Sequence, residues 1–259
     1  MSRFLKILFY GAVTLGLMAF FYGDKFFGAF NDGCHRHESH KSHGCHSTER
    51  HGHHSYDAHD LAGFDRVKVG GNYEVILVQD DEFKVSIDSD SPESIDAYVS
   101  ASQLVIMPSK KWGRDQDQSA RITIALPVLR KLQVEGSADV ETRGTLQTDR
   151  LCIKFSGASE ADLDIEADNL EVHMSGASDM NLSGSADQME IKASGAGEIQ
   201  AKDLQAEHVQ VSVSGAGSVS VYASESLQAS ASGAGNVTFR GNPSQISQHV
   251  SGAGSIRSK

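Results

Sequence analysis

A short glycine motif recurs at a nearly constant interval through the second half of the chain. The intervals between its first glycines are 21, 19, 19, 20, 18 and 19 residues. A fixed period near twenty is typical of stacked repeat architectures, in which each unit buries its apolar face against its neighbours. The motif takes the forms EGSADV, SGASEADL, SGASDMNL, SGAGEIQA, SGAGSVSV, SGAGNVTF and SGAGSIRS, whose first glycines are Gly136, Gly157, Gly176, Gly195, Gly215, Gly233 and Gly252.

Within each repeat, apolar or very small residues occupy every second position. A period of two is that of an extended strand. At the Gly-Ala-Gly or Gly-Ala-Ser step, a missing side chain lets the backbone turn at a crowded inner corner. Each repeat is therefore predicted to supply two short strands joined by a bend. One such series is Val209, Val211, Val213, Gly215, Gly217, Val219 and Val221.

A single unit of this size cannot bury its own apolar face. Residues 135–259 are therefore predicted to form an all-β parallel β-solenoid whose rungs are about 20 residues long. A two-layer sandwich is the alternative, since short alternating strands also build that fold. Sandwich sequences do not usually repeat the same tetrapeptide at the same phase, so the regular repeat favours the solenoid.

Residues 61–134 carry strand patterns without the glycine motif, namely FDRVKV, YEVILVQ, FKVSID, LVIM and ARITIALPVL. They are predicted to form the first rungs or a cap of the same body, because the end of a solenoid needs protection against edge-to-edge pairing. The polar segment 109–120 contains Trp112, the one tryptophan of the chain. This ring is predicted to pack over a loop rather than to stack on a ligand.

The amino-terminal segment, residues 1–30, is hydrophobic. Ile7 to Tyr22 run for sixteen residues without a charge, and Arg3 and Lys6 precede them. We expect a hydrophobic helix that serves as an uncleaved membrane anchor rather than a cleaved signal peptide, because no clean A-x-A cleavage site follows. The preceding positive charges place the remaining chain outside the cytoplasm. The protein is thus predicted to be anchored to the cytoplasmic membrane of a bacterium and to face the periplasm, with secretion as the alternative.

Residues 31–60 contain nine of the twelve histidines and almost no aliphatic residues. Such a composition predicts a disordered linker. Imidazole and thiolate ligands suit Zn(II), Cu or Ni(II), so the tract is a candidate metal-binding segment. A hydrophilic spacer whose charge changes near pH 6 is the alternative. The candidate ligands are Cys34, His35, His37, His40, His43, Cys45, His46, His51, His53, His54 and His59.

Acidic residues occupy the position three residues after several of the first glycines. These residues should point outward on consecutive rungs, about 4.8 Å apart, and repel one another unless a cation relieves them. Calcium is the natural candidate because it accepts several oxygen ligands. The alternative is a solvated acidic face that keeps the solenoid soluble. The candidate column consists of Asp139, Glu160, Asp179 and Glu198, with Glu141 and Asp162 flanking it two residues on.

Three parts of the sequence resemble a known family: FDRVKVGGNYEVILVQ, the stretch ITIALPVLRKLQVEGSADV, and the iterated SGAG and SGAS motifs. Over residues 61–259 the chain is similar to the putative auto-transporter adhesin head GIN domain family of bacterial envelope proteins. The resemblance implies an exported, right-handed β-helical protein and brings no catalytic residues. It does not extend to the histidine tract or to the anchor.

The residues themselves predict binding rather than catalysis. The serines before each glycine recur through structural repetition, and none lies in a G-x-S-x-G elbow. His173 and His249 share a repeat phase but lie four rungs apart, about 19 Å, which is too far for one metal ion. A formal charge of -11 argues against nucleic acid and anionic membrane surfaces as partners.

We therefore expect a non-enzymatic cell-envelope module that contacts a polysaccharide or a protein partner, with the membrane reached only through the amino-terminal segment. Extracytoplasmic metal capture by the histidine tract is the alternative function. A polysaccharide hydrolase is a third option, and the acidic column is the only candidate for its carboxylates. No cofactor is certain from the sequence.

Overall fold

Strands dominate the structure, and most of them stack as successive turns of one coil. The computed structural model describes residues 54–57, 61–109 and 119–259. Within these ranges lie seventeen strands and one short 3-10 helix, Pro92–Ser94. The strands are β1 His54–Asp57, β2 Arg66–Gly71, β3 Tyr73–Gln79, β4 Lys84–Ser89, β5 Ile95–Ser100, β6 Gln103–Pro108, β7 Ala120–Leu126, β8 Lys131–Gly136, β9 Asp139–Thr142, β10 Leu146–Gly157, β11 Glu160–Gly176, β12 Asp179–Gly195, β13 Glu198–Gly215, β14 Ser218–Gly233, β15 Asn236–Arg240, β16 Gln245–Gly252 and β17 Ser255–Ser258.

The glycine repeats stack in parallel register, which confirms the predicted β-solenoid and excludes the sandwich. Gly157 pairs with Gly176, and Gly176 pairs with Gly195. The same column continues through Gly215, Gly233 and Gly252. Because each strand pairs with the equivalent strand one repeat later, every turn of the coil lies directly on the previous one.

Most rungs are single long strands rather than the predicted pair of short ones. β11 and β12 have 17 residues each, β13 has 18 and β14 has 16. Successive rungs bend at the same place, so the parallel hydrogen bonds continue around the bend. From β10 to β15, only the Gly-Ala-Gly and Gly-Ala-Ser steps separate consecutive strands.

Alternate residues of each rung fill the interior of the coil, as the period of two predicts. On β10 to β14 the inward apolar residues are buried and form one continuous hydrophobic core, whereas all residues of β16 on the last rung are exposed, Ile246 and Val250 included. The intervening residues point to solvent. On β11 the inward series is Ala161, Leu163, Ile165, Ala167, Leu170, Val172 and Met174.

Glycine is required at the stacked corner for two reasons. Gly157 has φ +126°, a region that residues with a side chain rarely adopt. A Cβ at this position would lie 2.1 Å from the carbonyl oxygen of Gly136 on the previous rung. The glycine of the repeat is therefore a packing requirement of the corner.

Repeats of unequal length share one register because bulges absorb the difference. Between β12 and β13, Asn181 pairs with Gln200 while Ser183 pairs with Asp203, so β13 carries one extra residue there. This accounts for the 20-residue interval in a region of 19-residue repeats. The glycine column and the outward columns remain aligned on both sides of the bulge.

The first turns of the coil do not follow the order of the sequence. β2 lies between β6 and β8, and β3 lies between β7 and β9, with all four pairings parallel. The rung made of β2 and β3 is therefore enclosed between the rung β6–β7 and the rung β8–β9. Gly71 at the end of β2 pairs with Gly136 and so extends the glycine column by one turn.

Antiparallel strands cover the outer edge of the rung β6–β7. β5 pairs with β6, β4 pairs with β7, and β1 pairs with β4. Antiparallel pairing satisfies backbone groups that would otherwise form an open edge. Residues 61–134 thus contribute both rungs of the coil and strands that cover its first edge. β1 adds a further strand at residues 54–57, within the segment 31–60 that was predicted to be a disordered linker.

Several sequence-based expectations concern residues outside the described ranges. They are the amino-terminal hydrophobic helix in residues 1–30, most of the histidine-rich tract, and Trp112. Among the residues that the structure describes, there is no helix with the length and apolar character needed to cross a membrane.

Candidate functional site

The stretch of each rung that precedes the glycine column carries four outward columns of side chains. We call this surface the ladder face; on β11 it comprises residues 169–175. Parallel register places equivalent side chains about 4.8 Å apart along each column. The columns are Arg150, Asn169, Gln188, His208, Ser226 and Gln245; Cys152, Glu171, Glu190, Gln210, Gln228 and Ser247; Lys154, His173, Lys192, Ser212, Ser230 and His249; and Ser156, Ser175, Ser194, Ser214, Ser232 and Ser251.

A shallow groove runs along the first two of these columns. Its volume is about 420 Å³, and most of its lining is polar. Amides, carboxylates, a guanidinium and an imidazole line it, so it offers hydrogen-bond donors and acceptors at regular spacing. The polar lining consists of Arg150, Asn169, Glu171, Gln188, Glu190, His208, Gln210, Ser226 and Gln228.

The hydroxyl groups of the serine column donate hydrogen bonds to the backbone. Ser156 Oγ donates to the carbonyl of Val134 on the previous rung, over 3.4 Å, and Ser175 Oγ donates to the carbonyl of Phe155 over the same distance. Ser194 and Ser232 repeat this contact. These hydroxyls therefore lie in one column and contact the backbone carbonyls of the preceding rungs.

The predicted acidic column is aligned by the strand register. Asp139 pairs with Glu160, Glu160 with Asp179, and Asp179 with Glu198. All four residues are exposed. The column also extends one rung further than the repeat predicted, because Glu74 of β3 pairs with Asp139.

The carboxylates of this column do not converge on a point. The three-residue clusters of potential metal ligands in the described part of the chain lie elsewhere. Glu74 Oε2 instead forms an ion pair with Arg121 Nε at 3.0 Å. Asp179 Oδ1 accepts a hydrogen bond from the backbone N–H of Glu198 over 3.1 Å. A calcium ion on this column would therefore require the side chains to reorient.

A second acidic column was missed by the sequence analysis. Its five residues are exposed and occupy the corner where the ladder face begins, between paired residues of successive rungs. Each lies eight residues before the next glycine of the column. Its distance from the preceding glycine varies between repeats, so counting forward does not align these residues. The members are Asp149, Asp168, Asp187, Glu207 and Glu225.

The predicted metal ligands of the histidine tract, from Cys34 to His59, lie outside the described residues with one exception. His54 belongs to β1, where its backbone pairs with Ser89 of β4. His173 and His249 lie in one column four rungs apart, as the repeat phase predicted. His249 is exposed, whereas the His173 side chain is 29% exposed and has a partner.

That partner belongs to a cluster that sequence reasoning missed. Ligand atoms of Cys152, Glu171 and His173 all lie within 4.8 Å of one another. Cys152 lies five residues before Gly157, and Glu171 lies five residues before Gly176. The repeat phase alone could therefore have placed these two residues in one column. A second group, Glu207, His208 and Glu225, lies at the acidic corner, and all three of its residues are exposed.

A family model described as "Putative auto-transporter adhesin, head GIN domain" matches residues 63–243. No curated protein matches the chain.

Solved structures share the fold. A putative adhesin from Bacteroides fragilis is 24% identical, with a TM-score of 0.74, covering 79% of this chain and 96% of that one. A putative lipid binding protein from Parabacteroides distasonis is 21% identical, with a TM-score of 0.62 and coverages of 80% and 96%. A putative adhesin from Parabacteroides merdae is 18% identical, with a TM-score of 0.56 and coverages of 80% and 95%. At these identities the likeness concerns the architecture alone.

Proposed function

The chain belongs to the head GIN domain family of putative auto-transporter adhesins, and from this premise we propose that it is a non-enzymatic binding module of the cell envelope. Its ladder face binds an extended polymer, in the first place a neutral envelope polysaccharide. The family is one of putative adhesins, and the similar structures are those of putative adhesins and a putative lipid binding protein, which are classes of binding protein rather than of enzyme.

The polar groove of the ladder face is the observation that supports this proposal. A polysaccharide presents hydroxyl groups at regular intervals, and the groove presents amide and carboxylate groups at the regular spacing of the rungs. Gln188, Gln210 and Gln228 lie on three successive rungs and can each donate and accept hydrogen bonds. The paired backbone beneath holds these side chains on a rigid frame, which reduces the entropy lost on binding.

Charge favours a neutral polymer over a polyanion. The formal charge is -11, and two exposed acidic columns run along the solenoid. The ladder face itself is mixed in sign, because Lys154 and Lys192 share it with Glu171 and Glu190. A long anionic polymer would be repelled by the body as a whole.

Membership of an auto-transporter adhesin family indicates a cell-envelope or extracellular location. We further propose that residues 1–30 anchor the chain to the cytoplasmic membrane, facing the periplasm, and that residues 31–53 act as the linker to β1 and the solenoid. The uncharged run from Ile7 to Tyr22 supports the anchor. Release of a secreted form after cleavage is the alternative outcome.

A glycan array probed with the full chain tests the function. We expect binding to a neutral polysaccharide that is lost in the double variant Gln210→Ala and Gln228→Ala. The matched control is Gln200→Ala with Ser220→Ala, because those residues are paired on β13 and β14 outside the ladder face. Binding that survives the first double variant, or that fails equally in both, would refute the assignment to the ladder face.

Two further arms separate other partners. Deleting residues 34–53, which retains β1, should leave polysaccharide binding unchanged, because the proposed contact lies on the solenoid. Binding to phospholipid vesicles without any glycan binding would replace this proposal with a lipid-binding function, of the kind named for the Parabacteroides distasonis structure. Capture of an envelope protein through the same glutamines would retain the site but change its partner.

We also propose metal capture by the histidine tract as a second candidate function. The supporting observation is the density of ligands, with nine histidines and two cysteines between Cys34 and His59. Calorimetric titration with Zn(II), with and without residues 34–59, tests it. An affinity no tighter than that of ordinary imidazole chelation, or one unchanged by the deletion, would remove this function.

A further inference from the structure

Three side chains of different chemistry meet on the ladder face where two of its columns adjoin. Cys152 on β10 is the register partner of Glu171 on β11, one rung away. His173 follows Glu171 by two residues, so both point out of the same face of the strand. As a result a thiol, a carboxylate and an imidazole present ligand atoms within 4.8 Å of one another.

The three groups are partly shielded from solvent and bonded to one another. His173 Nε2 lies 2.5 Å from Glu171 Oε1, and Cys152 is a free cysteine. The hydrogen bond from His173 lowers the pKa of the Glu171 carboxyl, whereas burial and the nearby Glu171 raise the pKa of the Cys152 thiol.

The next rung provides an internal comparison. Glu190 and Lys192 occupy the positions equivalent to Glu171 and His173, and they form an ion pair of 2.6 Å. The two charges of that pair neutralise each other without a bound ligand. On the rung of β11 an imidazole replaces the ammonium, and a thiol lies beside it, so the same backbone positions carry three metal-ligating atoms.

We propose that Cys152, Glu171 and His173 form a three-ligand site for a divalent transition metal, in the first place Zn(II). Zinc accepts sulfur, nitrogen and carboxylate oxygen in tetrahedral sites, and three protein ligands leave a fourth position for water. Calcium does not suit this set, because it prefers oxygen ligands only. The site shares no residue with the histidine tract or with the acidic column of Asp139.

The charges and protons of the site balance. Binding releases the thiol proton to solvent and uses neutral imidazole, so thiolate and carboxylate together neutralise the dication. Lys131 and Lys154 are the register partners of Cys152 and His173 and oppose a cation. Lys192 is neutralised by Glu190. Adjacent strands hold all three ligands, so little backbone has to move on binding.

Cobalt spectroscopy on the full chain tests the site, with Cys34 and Cys45 both changed to Ser. Cys152 is then the only thiol, so a thiolate-to-Co(II) charge-transfer band in the near ultraviolet reports on this site. The histidine tract can bind Co(II) but cannot produce that band. We expect the band to appear at neutral pH, to disappear on adding Zn(II), and to be abolished by Cys152→Ser.

His173→Gln and Glu171→Gln should each weaken the apparent Co(II) affinity by about tenfold or more, since each removes one ligand. His249→Gln is the matched control, because His249 lies in the same column four rungs away and should leave the band unchanged. Thermal unfolding of each variant without metal checks that the solenoid is intact. Absence of the band while Cys152 is reduced, or a band insensitive to both His173→Gln and Glu171→Gln, would show that the cluster is a hydrogen-bond network only.

Discussion

Gly71 pairs in parallel register with Gly136, although 65 residues separate them in the chain. The chain between them leaves the coil, forms the strands that cover its first edge, and adds the rung β6–β7 on the far side of β2 and β3. The rung that contains Gly71 is thus enclosed by parallel neighbours on both sides. Stability of the first turns therefore depends on contacts between residues distant in sequence.

Replacing a glycine of the column should destabilise the solenoid strongly. A Cβ on Gly176, which has φ +111°, would lie 2.3 Å from the carbonyl oxygen of Gly157. Gly176→Ala should lower the free energy of unfolding by at least about 2 kcal/mol, measured by denaturant titration. Ala177→Ser is the control at the neighbouring exposed position and should change stability little. Equal stability of the two variants would contradict the stacked corner.

The residue that follows Ser-Gly-Ala in the motif is serine at Ser178 and glycine at Gly197, and the two should not be interchangeable. Buried Ser178 Oγ accepts the N–H of Ser159 over 3.3 Å and donates to the carbonyl of Gly157 over 3.4 Å. Ser178→Gly should cost about 1 to 2 kcal/mol through lost hydrogen bonds and added chain entropy. Gly197→Ser should cost more, since its Cβ would lie 2.0 Å from the carbonyl oxygen of Ser178. Denaturant titration of both variants measures the difference, and the reverse order would contradict this packing.

Alkaline unfolding should reveal the buried hydroxyl of Tyr73. This hydroxyl has no hydrogen-bond partner, and burial, with a contribution from Asp96, raises the pKa of Tyr73 from 10.0 to about 12. The folded-state pKa lies above the unfolded one, so the stability contribution is present below pH 10 and is lost as the pH rises towards 12.

Tyr73→Phe should therefore flatten the fall in thermal midpoint over that range of pH. It should also leave stability at neutral pH equal or raise it by about 1 kcal/mol, because an unpaired buried hydroxyl is removed. Tyr98→Phe, at a residue that is 45% exposed, is the control and should retain the alkaline fall. A loss of stability at neutral pH in Tyr73→Phe would indicate a partner for the hydroxyl.

Calcium should act on the acidic column if a cation relieves its repulsion. Millimolar calcium is then expected to raise the thermal midpoint, by mass action on the folded state, and magnesium should do less. Changing Glu160→Gln together with Asp179→Asn should abolish the calcium effect and raise the calcium-free midpoint. Glu82→Gln, an exposed residue outside the column, is the control.

The opposite results are equally informative. A wild-type midpoint that ignores calcium would make the column a solvated acidic face. A lower calcium-free midpoint in the double variant would mean that these carboxylates have stabilising partners, as Asp179 has in the N–H of Glu198.

Periodicity explains why the alignment of the candidate sites was predictable. The column of Asp139, Glu160, Asp179 and Glu198 follows from counting three residues after each glycine, and the strand register confirms it. The column of Asp149 follows from counting eight residues before each glycine, and was missed because bulges vary the forward distance. Counting from both sides of a corner recovers both columns.

By itself the sequence determined the parallel coil, its phase and its inward residues, because an alternating pattern with a fixed period leaves one way to bury the apolar side chains. Only the tertiary structure decided that β2 and β3 lie between β6–β7 and β8–β9, since residues 61–134 carry no repeat to set their order. It also brought Cys152 against Glu171 and His173. The phase of the repeat places residues in columns. The side-chain directions that bring the ligand atoms of these three residues together depend instead on packing between neighbouring rungs.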